Sequence, residues 1–444
     1  MNEIYKHEFF QSNFSRCDAS KYHSMHKEDL AELVNGRKIY IWGAGQKGRG
    51  FYRALKRNGF VLEAFLDVSE KLQLLGYDGV KVIHPDEVLL SPDTLKDSFI
   101  LTATVDIKNR EMKAQLVSLG RQAGKDFDDI QTLAPFYPTI EVTGICNIQC
   151  SSCPRSDREL LPNGKYMSLA NYERVIRKMV LEMPFLYLVD LYIWGEPILN
   201  KDLPDMIRLN NELGLSTGIS TNLNDIRNMP ASLDAEPALV RVSLSGMSAE
   251  TYEITHTKGK WSKVEKNLEA LSKLVAERGS KTIIELYFHI YKHNLHEVAA
   301  AKKMCEKYDF RFHPALGIIL QPLVLKKIQS AGETPSSALL AENQLLRNLD
   351  DLLDECHSQN SLPCILKRVA PVINWDLSVM ACCSFTGAPL LKNYLEVSLN
   401  EIIENRTFSH TCGTCQSNSL HRWNHQTTYT KFLAEVTDGQ VNGG

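Results

Sequence analysis

The sequence lacks any apolar stretch close to the roughly 20 residues of a membrane-spanning helix, and its amino-terminal segment has no apolar core of a secretion signal. It also lacks an excess of charge, because 50 basic side chains stand against 53 acidic ones and leave a net charge of −3. No short solenoid-type repeat or low-complexity tract interrupts the 444 residues. We therefore expect a soluble, cytoplasmic protein with no membrane or nucleic-acid partner.

Disulfides are not needed for stability, since a chain of this length can bury large cores. The eleven cysteines would lie in a reducing compartment, where clustered thiols more often bind metal or do chemistry than pair. Cys146, Cys150 and Cys153 fall within eight positions after a short β-branched run. A disulfide framework, a zinc site and an iron–sulfur cluster all remain open. Structural zinc would be one ligand short, whereas a 4Fe-4S cluster on three thiolates keeps one iron free for another molecule.

Residues 1–135 are predicted to form a Rossmann-like βαβ domain with an amino-terminal extension. A strand leads into Gly43, Gly45 and Gly48, and a helix and second strand then end at Asp67, 19 residues after the last glycine. Such glycines let a phosphate approach the helix amino terminus, and an acid at this distance can bind a ribose. This pattern is consistent with a nucleotide site, but equally with a tight strand-to-helix turn in a domain that only presents a surface.

Residues 136–330 alternate strand-like apolar runs with mostly helical stretches, which predicts a partial (β/α)6 barrel within an α/β protein. In such barrels the chemistry collects in loops at the carboxyl ends of the strands. The predicted strands lie within 139–145, 186–194, 215–220, 238–245, 283–290 and 310–319.

Residues 331–444 are predicted to be a small, separate cysteine-rich domain, preceded by the linker-like sequence QSAGETPSSA. Beyond Cys356, the segment carries five clustered cysteines: Cys364, Cys382, Cys383, Cys412 and Cys415.

The triplet on a partial barrel resembles the radical S-adenosylmethionine (SAM) superfamily, whose signature is this C-x3-C-x2-C spacing after the first barrel strand. The resemblance implies a 4Fe-4S cluster on the three cysteines, with SAM at the open iron and a one-electron donor such as flavodoxin or ferredoxin. The sequence Trp194-Gly195-Glu196-Pro197 is similar to the family's Gly-Gly-Glu-Pro motif, which receives the amino group of SAM. Trp194 departs from that motif at its first position.

Further positions are assigned to SAM by the same resemblance. Ser220, Asn222 and Ser243 follow the third and fourth strands, where the family contacts the carboxylate and ribose of SAM. Ala315-Leu316-Gly317, after the sixth strand, would offer adenine a flat apolar wall. Ser152 is a second departure, since an aromatic residue often packs on adenine at that position.

The carboxyl-terminal cysteines resemble the SPASM or twitch extension of the superfamily, which houses auxiliary 4Fe-4S clusters. A full SPASM extension would continue with three more cysteines, but this chain has His421 and His425 at matching spacings, and Leu377 replaces a usual glycine. We predict one auxiliary cluster, and a four-cysteine zinc ribbon remains the alternative. Cys383 could replace Cys382 as a ligand. The expected ligands are Cys364, Cys382, Cys412 and Cys415.

Alternation along the barrel strands predicts a polar interior. Ile284, Leu286, Phe288 and Ile290 would face the outer helices, and the opposite phase faces the cavity. Each inward residue could instead belong to a satisfied buried network. The predicted inward residues are Asp190, Tyr192, Arg241, Glu285, Tyr287 and His289. Among them and the carboxyl-terminal thiols, the candidate catalytic residues are Glu285, Tyr287, His289, Arg241 and Cys383.

The resemblance implies an enzyme that cleaves SAM to a 5′-deoxyadenosyl radical, which takes a hydrogen atom from a substrate carbon. A polar lining suits a sugar, cyclitol or nucleotide-sugar, and an auxiliary cluster suits oxidation of its alcohol. Redox-neutral epimerisation with a thiol donor such as Cys383, and peptide modification, are alternatives. A non-catalytic iron–sulfur or zinc scaffold would not need the SAM-binding residues. A nicotinamide-dependent oxidoreductase acting at Gly43–Gly48 would leave seven metal-spaced cysteines unexplained.

Overall fold

The computed structural model describes residues 25–104, 106–157, 160–161, 164–329, 342–362, 364, 366–386 and 388–423. The predicted α/β class is confirmed, because parallel strands build two sheets that helices cover. Most of the predicted linker, at 330–341, and His425 lie outside the described residues. Among the residues that are described, no helix has both the length and the apolar character to cross a bilayer.

The amino-terminal sheet has five parallel strands in the order β3-β2-β1-β4-β5. Its strands are β1 (Lys38–Trp42), β2 (Leu62–Leu66), β3 (Val82–Ile83), β4 (Ser98–Thr102) and β5 (Phe127–Asp129). Its helices are α1 (Lys27–Val34), α2 (Gln46–Arg57), α3 (Glu70–Leu75), α4 (Asp86–Leu89), α5 (Pro92–Lys96), α6 (Asp106–Ser118) and α7 (Ile130–Leu133).

The apolar strand β1 is central in this sheet because both of its faces are covered. Ile41 packs with Phe51 of α2 on one face, while Trp42 packs with Leu116 of α6 on the other. Burial on both faces is typical of parallel sheets.

The second sheet has eight strands in the order β11-β10-β9-β8-β7-β6-β12-β13, and β6 to β11 are parallel in chain order. Each of the six predicted apolar runs coincides with one of these parallel strands, although β8 extends one residue beyond its run. The strands are β6 (Thr139–Ile140), β7 (Leu188–Asp190), β8 (Ser216–Thr221), β9 (Leu239–Leu244), β10 (Ile283–Ile290), β11 (Arg311–Leu316), β12 (Val372–Ile373) and β13 (Val379–Met380). The covering helices are α8 (Leu169–Glu182), α9 (Leu203–Glu212), α10 (Met229–Asp234), α11 (Ala249–Thr255), α12 (Trp261–Arg278), α13 (Val298–Tyr308) and α14 (Gln321–Gln329).

The carboxyl-terminal segment joins this second sheet. The hairpin β12–β13 pairs in parallel with β6, so Val372 lies opposite Thr139. The Trp375 ring, in the hairpin turn, packs so closely on Gly144 and Gly164 that a Cβ at either glycine would lie within 2.4 Å of it. The helices of this segment are α15 (Leu349–Ser358), α16 (Leu366–Val369), α17 (Leu399–Phe408) and α18 (His410–Ser417). The triplet loop, which begins two residues after Gly144, is therefore held against the carboxyl-terminal segment.

Helix α2 attaches the amino-terminal sheet to the loops that precede β7 and β8. Arg57 donates to the carbonyls of Leu213, Pro184 and Leu186 at 2.7, 2.7 and 2.6 Å. Phe51 also stacks on Phe185, with 6.0 Å between ring centroids. These loops lie at the amino ends of the barrel strands, so the amino-terminal sheet packs on the side opposite the strand carboxyl ends.

Candidate functional site

A cavity of about 450 Å³ opens at the carboxyl ends of the second sheet's strands. The three thiols of the triplet lie on its wall. Residues predicted at the strand ends line the same cavity, together with residues of β10 and of the carboxyl-terminal segment. From the predicted set, the cavity collects Cys146, Cys150, Cys153, Tyr192, Gly195, Glu196, Ser220, Asn222, Ser243, Tyr287, His289 and Cys383.

The triplet loop is held by the segment after α11. The backbone N–H of Ser151 donates to the Thr255 carbonyl at 3.0 Å, and that of Gln149 donates to the Thr257 carbonyl at 2.8 Å. Within the loop, the Cys153 N–H donates to the Cys150 carbonyl at 3.1 Å. These contacts turn the three thiols towards one cavity.

The donor set of this loop fits an iron–sulfur cluster. Burial raises the pKa of Cys146 to about 12 and that of Cys153 to about 11, and it raises the pKa of Cys150 further. Buried thiols of this kind ionise readily only when a metal centre takes the place of the proton. No three His, Cys, Asp or Glu side chains in the described part of the chain already converge at metal-binding geometry. The fit therefore rests on the three thiols sharing one cavity.

Glu196 lies at the cavity wall but is also tied to the backbone. Its carboxylate accepts from the N–H groups of Asn222 at 2.8 Å and Ile198 at 3.3 Å. The side chain is 2% exposed, and burial raises its pKa to about 7. Glu196 thus links the loop after β7 to the end of β8, in addition to facing the cavity.

Glu141 and Arg155 are two residues that the sequence analysis missed. One Glu141 carboxylate oxygen accepts from the N–H groups of Trp194 at 2.5 Å and Gly195 at 2.9 Å. Arg155 donates to the Trp194 carbonyl at 2.7 Å. Together they hold the backbone of the loop that carries Glu196. The sequence signal that could have identified Glu141 was an acidic residue inside a β-branched run.

The serine and asparagine side chains at the ends of β8 and β9 face the same cavity. The hydroxyls of Ser220 and Ser243 are 3.2 Å apart. The Asn222 amide donates to Asn147 at 2.8 Å and approaches the Cys146 sulfur at 3.6 Å. These groups offer neutral hydrogen-bonding positions beside the triplet.

The predicted adenine wall needs correction. Ala315 is buried, 1% exposed, and is not among the residues that line the cavity, whereas its neighbour Leu316 is. Because alternate strand residues face opposite sides, Leu316 lines the cavity and Ala315 does not, so only part of the predicted Ala315-Leu316-Gly317 wall is correct. Tyr291 also lines the cavity, and its hydroxyl is 3.5 Å from that of Ser152. Its ring packs over Gly317, where a Cβ would lie 2.3 Å from it.

The predicted catalytic residues separate into two layers. Tyr287 and His289 reach the cavity wall, whereas Glu285 and Arg241 do not. The Arg241 guanidinium lies 3.1 Å from a Glu285 carboxylate oxygen and 4.5 Å from the centre of the Tyr287 ring. Deeper still, Asp190 accepts from the Tyr137 hydroxyl at 2.6 Å. Arg241 and Glu285 therefore belong to a buried polar network beneath the cavity.

His256 is a further cavity residue that the sequence analysis missed. Its ring stacks on Tyr252, with 4.5 Å between ring centroids, and its Nδ1 is 2.6 Å from the Ser245 hydroxyl. Burial lowers the pKa of His256 to about 3 and that of His289 to about 4. Both imidazoles are therefore neutral at physiological pH. No motif in the sequence singled out His256.

The geometry can be compared with known proteins. Residues 140–303 match the family model of the Radical SAM superfamily. We call this matched segment the radical SAM domain. Members of this superfamily are enzymes that use SAM and a 4Fe-4S cluster. The radical SAM domain contains the triplet, the strand-end residues Glu196, Asn222 and Ser243, and all of β7 to β10.

The similarity to solved structures covers more of the chain than the radical SAM domain. Native anSMEcpe with bound AdoMet and Cp18Cys peptide is 15% identical, with a TM-score of 0.43, covering 68% of this chain and 96% of that one. Streptococcus suis SuiB bound to precursor peptide SuiA is 11% identical, with a TM-score of 0.43 and coverages of 71% and 73%. BtrN in complex with AdoMet and 2-DOIA is 13% identical, with a TM-score of 0.31 and coverages of 68% and 87%.

Outside the radical SAM domain, four carboxyl-terminal thiols line a second, smaller cavity. The thiol of Cys383 instead faces the first cavity, although Cys383 is adjacent in sequence to Cys382. Leu366 and Ser384 border both cavities, so they form a thin wall between them. The second cavity is also bordered by His421, whose Nε2 is 3.0 Å from the Leu362 carbonyl. The four thiols are those of Cys364, Cys382, Cys412 and Cys415.

The glycine turn before α2 uses its predicted nucleotide-binding groups internally. Asp67 accepts from the N–H groups of Ala44 at 2.9 Å and Ser69 at 3.0 Å. Gly43 has a φ of 116°, and a Cβ at Gly48 would lie 1.9 Å from the Gly43 carbonyl oxygen, so this turn requires both glycines. A Cβ at Gly45 would meet no atom within 4 Å. The turn lies at the helix that docks on the radical SAM domain, far in sequence from the triplet.

Proposed function

We propose that this chain is a radical SAM enzyme that oxidises an alcohol of a polar small molecule. The observation that carries the proposal is the shared cavity, which has the three triplet thiols on one wall and Cys383 and Ser384 on another. The wall at Ser384 also borders the four carboxyl-terminal thiols. A substrate in this cavity would lie between two thiol clusters.

Cys146, Cys150 and Cys153 would hold the cluster that binds SAM. Such a cluster supplies the electron that cleaves SAM to methionine and a 5′-deoxyadenosyl radical, the species that takes a hydrogen atom from substrate. Glu196 would accept from the SAM ammonium, while Ser220, Asn222 and Ser243 would contact its carboxylate and ribose. Tyr291 and Leu316 would flank the adenine.

The substrate class is inferred from the remaining lining. Tyr192 and Tyr287 line the cavity, and so do the neutral imidazoles of His256 and His289, each of which has one donor and one acceptor nitrogen. This lining complements hydroxyl groups of a sugar, a cyclitol or the sugar of a nucleotide-sugar. The buried Arg241–Glu285 pair would position Tyr287 rather than touch the substrate.

The carboxyl-terminal segment would act as a SPASM or twitch-type domain with one auxiliary 4Fe-4S cluster on Cys364, Cys382, Cys412 and Cys415. The placement of these thiols around one cavity supports the choice of Cys382 over Cys383 as ligand. Four thiolates around one cavity suit either a 4Fe-4S cluster or one zinc ion. A single zinc ion is therefore the alternative occupant that metal analysis must exclude.

The amino-terminal sheet is proposed to be a Rossmann-like domain that docks the radical SAM domain. The contacts of Arg57 with three carbonyls, and the internal hydrogen bonds of Asp67, favour docking over nucleotide binding.

Redox-neutral epimerisation is the second candidate, because the Cys383 thiol faces the cavity and could return a hydrogen atom. The two candidates differ in product. Oxidation yields a ketone, whereas epimerisation in deuterated water places deuterium at the inverted carbon. A Cys383→Ala variant should keep oxidation and abolish epimerisation.

The test uses anaerobically reconstituted protein with SAM and dithionite. We expect release of 5′-deoxyadenosine, measured by liquid chromatography and mass spectrometry, and iron sufficient for two clusters. Joint replacement of the triplet cysteines by alanine should remove about half of the iron and all deoxyadenosine. Cys305→Ala, at a buried thiol of α13, is the matched control and should change neither.

The substrate would be identified by mass spectrometry of metabolites consumed when cell extract is added to the same reaction. A dehydrogenated polyol supports the proposal. A modified peptide would overturn the substrate class but leave the radical chemistry standing, whereas no deoxyadenosine under any condition would overturn the enzyme assignment.

A further inference from the structure

Arg406, on α17, is a fully buried cation at the centre of the carboxyl-terminal segment. Its side chain is 1% exposed. Among the described residues no carboxylate pairs with its guanidinium. Because a buried charge is costly unless it is compensated, an unpaired guanidinium here calls for an anionic neighbour.

The contacts of Arg406 indicate that this anionic neighbour lies at the four thiols of Cys364, Cys382, Cys412 and Cys415. Its guanidinium donates to the carbonyls of Ala370 at 2.7 Å, Lys367 at 3.1 Å and Met380 at 3.4 Å. Met380 is two residues before Cys382, and Lys367 is three residues after Cys364. The guanidinium is therefore fixed against the backbone segments that carry two of the four thiols.

One donor of Arg406 remains unused. The Nε–H makes no hydrogen bond in the described structure, although it is buried. Burial lowers the pKa of Arg406, and the thiols of Cys382, Cys412, Cys383 and Cys364 oppose that effect. The guanidinium therefore interacts electrostatically with three of the four proposed ligands, Cys364, Cys382 and Cys412, and this matches a site built for an anion larger than one thiolate.

We propose that Arg406 is the countercharge of the carboxyl-terminal cluster and raises its reduction potential, so that the cluster accepts the substrate electron. This inference rests on the proposed auxiliary cluster. Four thiolates make the cluster anionic, and adding one electron increases the negative charge next to a fixed cation. The reduced form therefore gains more from Arg406 than the oxidised form, since net charge and hydrogen bonding set cluster potentials. Arg406 acts through the cluster and is a positioning residue.

The experiment measures the potential of the carboxyl-terminal cluster alone. The background protein carries Cys146→Ala, Cys150→Ala and Cys153→Ala, so that only the carboxyl-terminal cluster is present. Its midpoint potential is determined by anaerobic titration monitored by electron paramagnetic resonance. In this background, Arg406→Gln removes the charge but keeps an amide donor, and Arg406→Lys keeps the charge.

We expect Arg406→Gln to disfavour reduction at least tenfold, which corresponds to a potential lower by about 59 mV for one electron. Arg406→Lys should remain closer to the unchanged protein. Arg57→Gln is the matched control, because Arg57 also binds three carbonyls but lies at the amino-terminal interface. It should leave the potential unchanged.

Each of the other outcomes also supports or overturns the proposed role of Arg406. An Arg406→Gln cluster with an unshifted potential would overturn the proposal. If Arg406→Gln cannot hold the cluster, retention by Arg406→Lys supports the countercharge, whereas loss in both variants shows that Arg406 only clamps the backbone. Zinc in the unsubstituted site would refute the redox role, while SAM cleavage at the triplet would still support the proposed enzyme.

Discussion

The replacement of Glu141 by alanine tests how the loop carrying Glu196 is held. Glu141 is 2% exposed and accepts from the N–H groups of Trp194 and Gly195. Glu141→Ala leaves both donors buried without this partner, at a cost of roughly 1–3 kcal/mol each. We expect the free energy of unfolding to fall by about 3 kcal/mol. For a domain of this size that lowers the melting temperature by roughly 6–12 °C.

The same variant should weaken SAM binding, because Glu196 directly follows the loosened peptide. We expect the dissociation constant to rise at least tenfold, equivalent to about 1.4 kcal/mol, while iron content stays constant. Glu141→Gln keeps an acceptor oxygen and should retain most of the affinity. Anaerobic isothermal titration calorimetry and iron analysis give the two values, and differential scanning calorimetry gives the melting temperature.

Glu297→Ala is the matched control for this experiment. Glu297 is 8% exposed and accepts from the Met247 N–H at 2.8 Å, but it is not among the residues that line the cavity. Its loss should lower the melting temperature without changing SAM affinity. The reasoning fails if Glu141→Ala binds SAM as tightly as the unchanged protein, or if Glu297→Ala weakens SAM binding equally.

Three other variants probe separate parts of the chain. Gly144→Ala places a Cβ 2.4 Å from the Trp375 ring and should reduce the iron held by the triplet loop, which iron analysis would show; unchanged iron would mean that the ring yields. Glu196→Ala should weaken SAM binding by about 1.5–3 kcal/mol through loss of a charge-assisted bond, measured by calorimetry, whereas loss of iron would make Glu196 a structural residue. Burial raises the pKa of Asp128 to about 6, so its stabilising effect is full below pH 3.8 and lost as the pH rises through 6. Asp128→Asn should remove this dependence and gain on the order of 3 kcal/mol at pH 8 relative to the unchanged protein; parallel stability curves from pH 4 to 8 would contradict it.

The sequence by itself determined the features that depend on local pattern. Alternating and helical periodicities located the strands and helices, because each element buries one face or both irrespective of its partners. The same alternation predicted which side chains of β10 face inward. It correctly placed Tyr287 and His289 towards the cavity. The triplet was recognisable because its three thiols must lie on one short loop.

Tertiary structure alone decided the features that join distant segments. Glu141 meets Trp194 across 53 residues, and no local pattern records such a pair. The adjacent residues Cys382 and Cys383 line different cavities, because residues of α16 and α18 complete the cavity that Cys382 borders. In the sequence, Arg406 cannot be distinguished from an ordinary helical arginine. Only the folded chain shows that it is buried without a carboxylate partner in the described structure. Burial and long-range contact, which set the energies of these groups, arise only when the separate segments pack together.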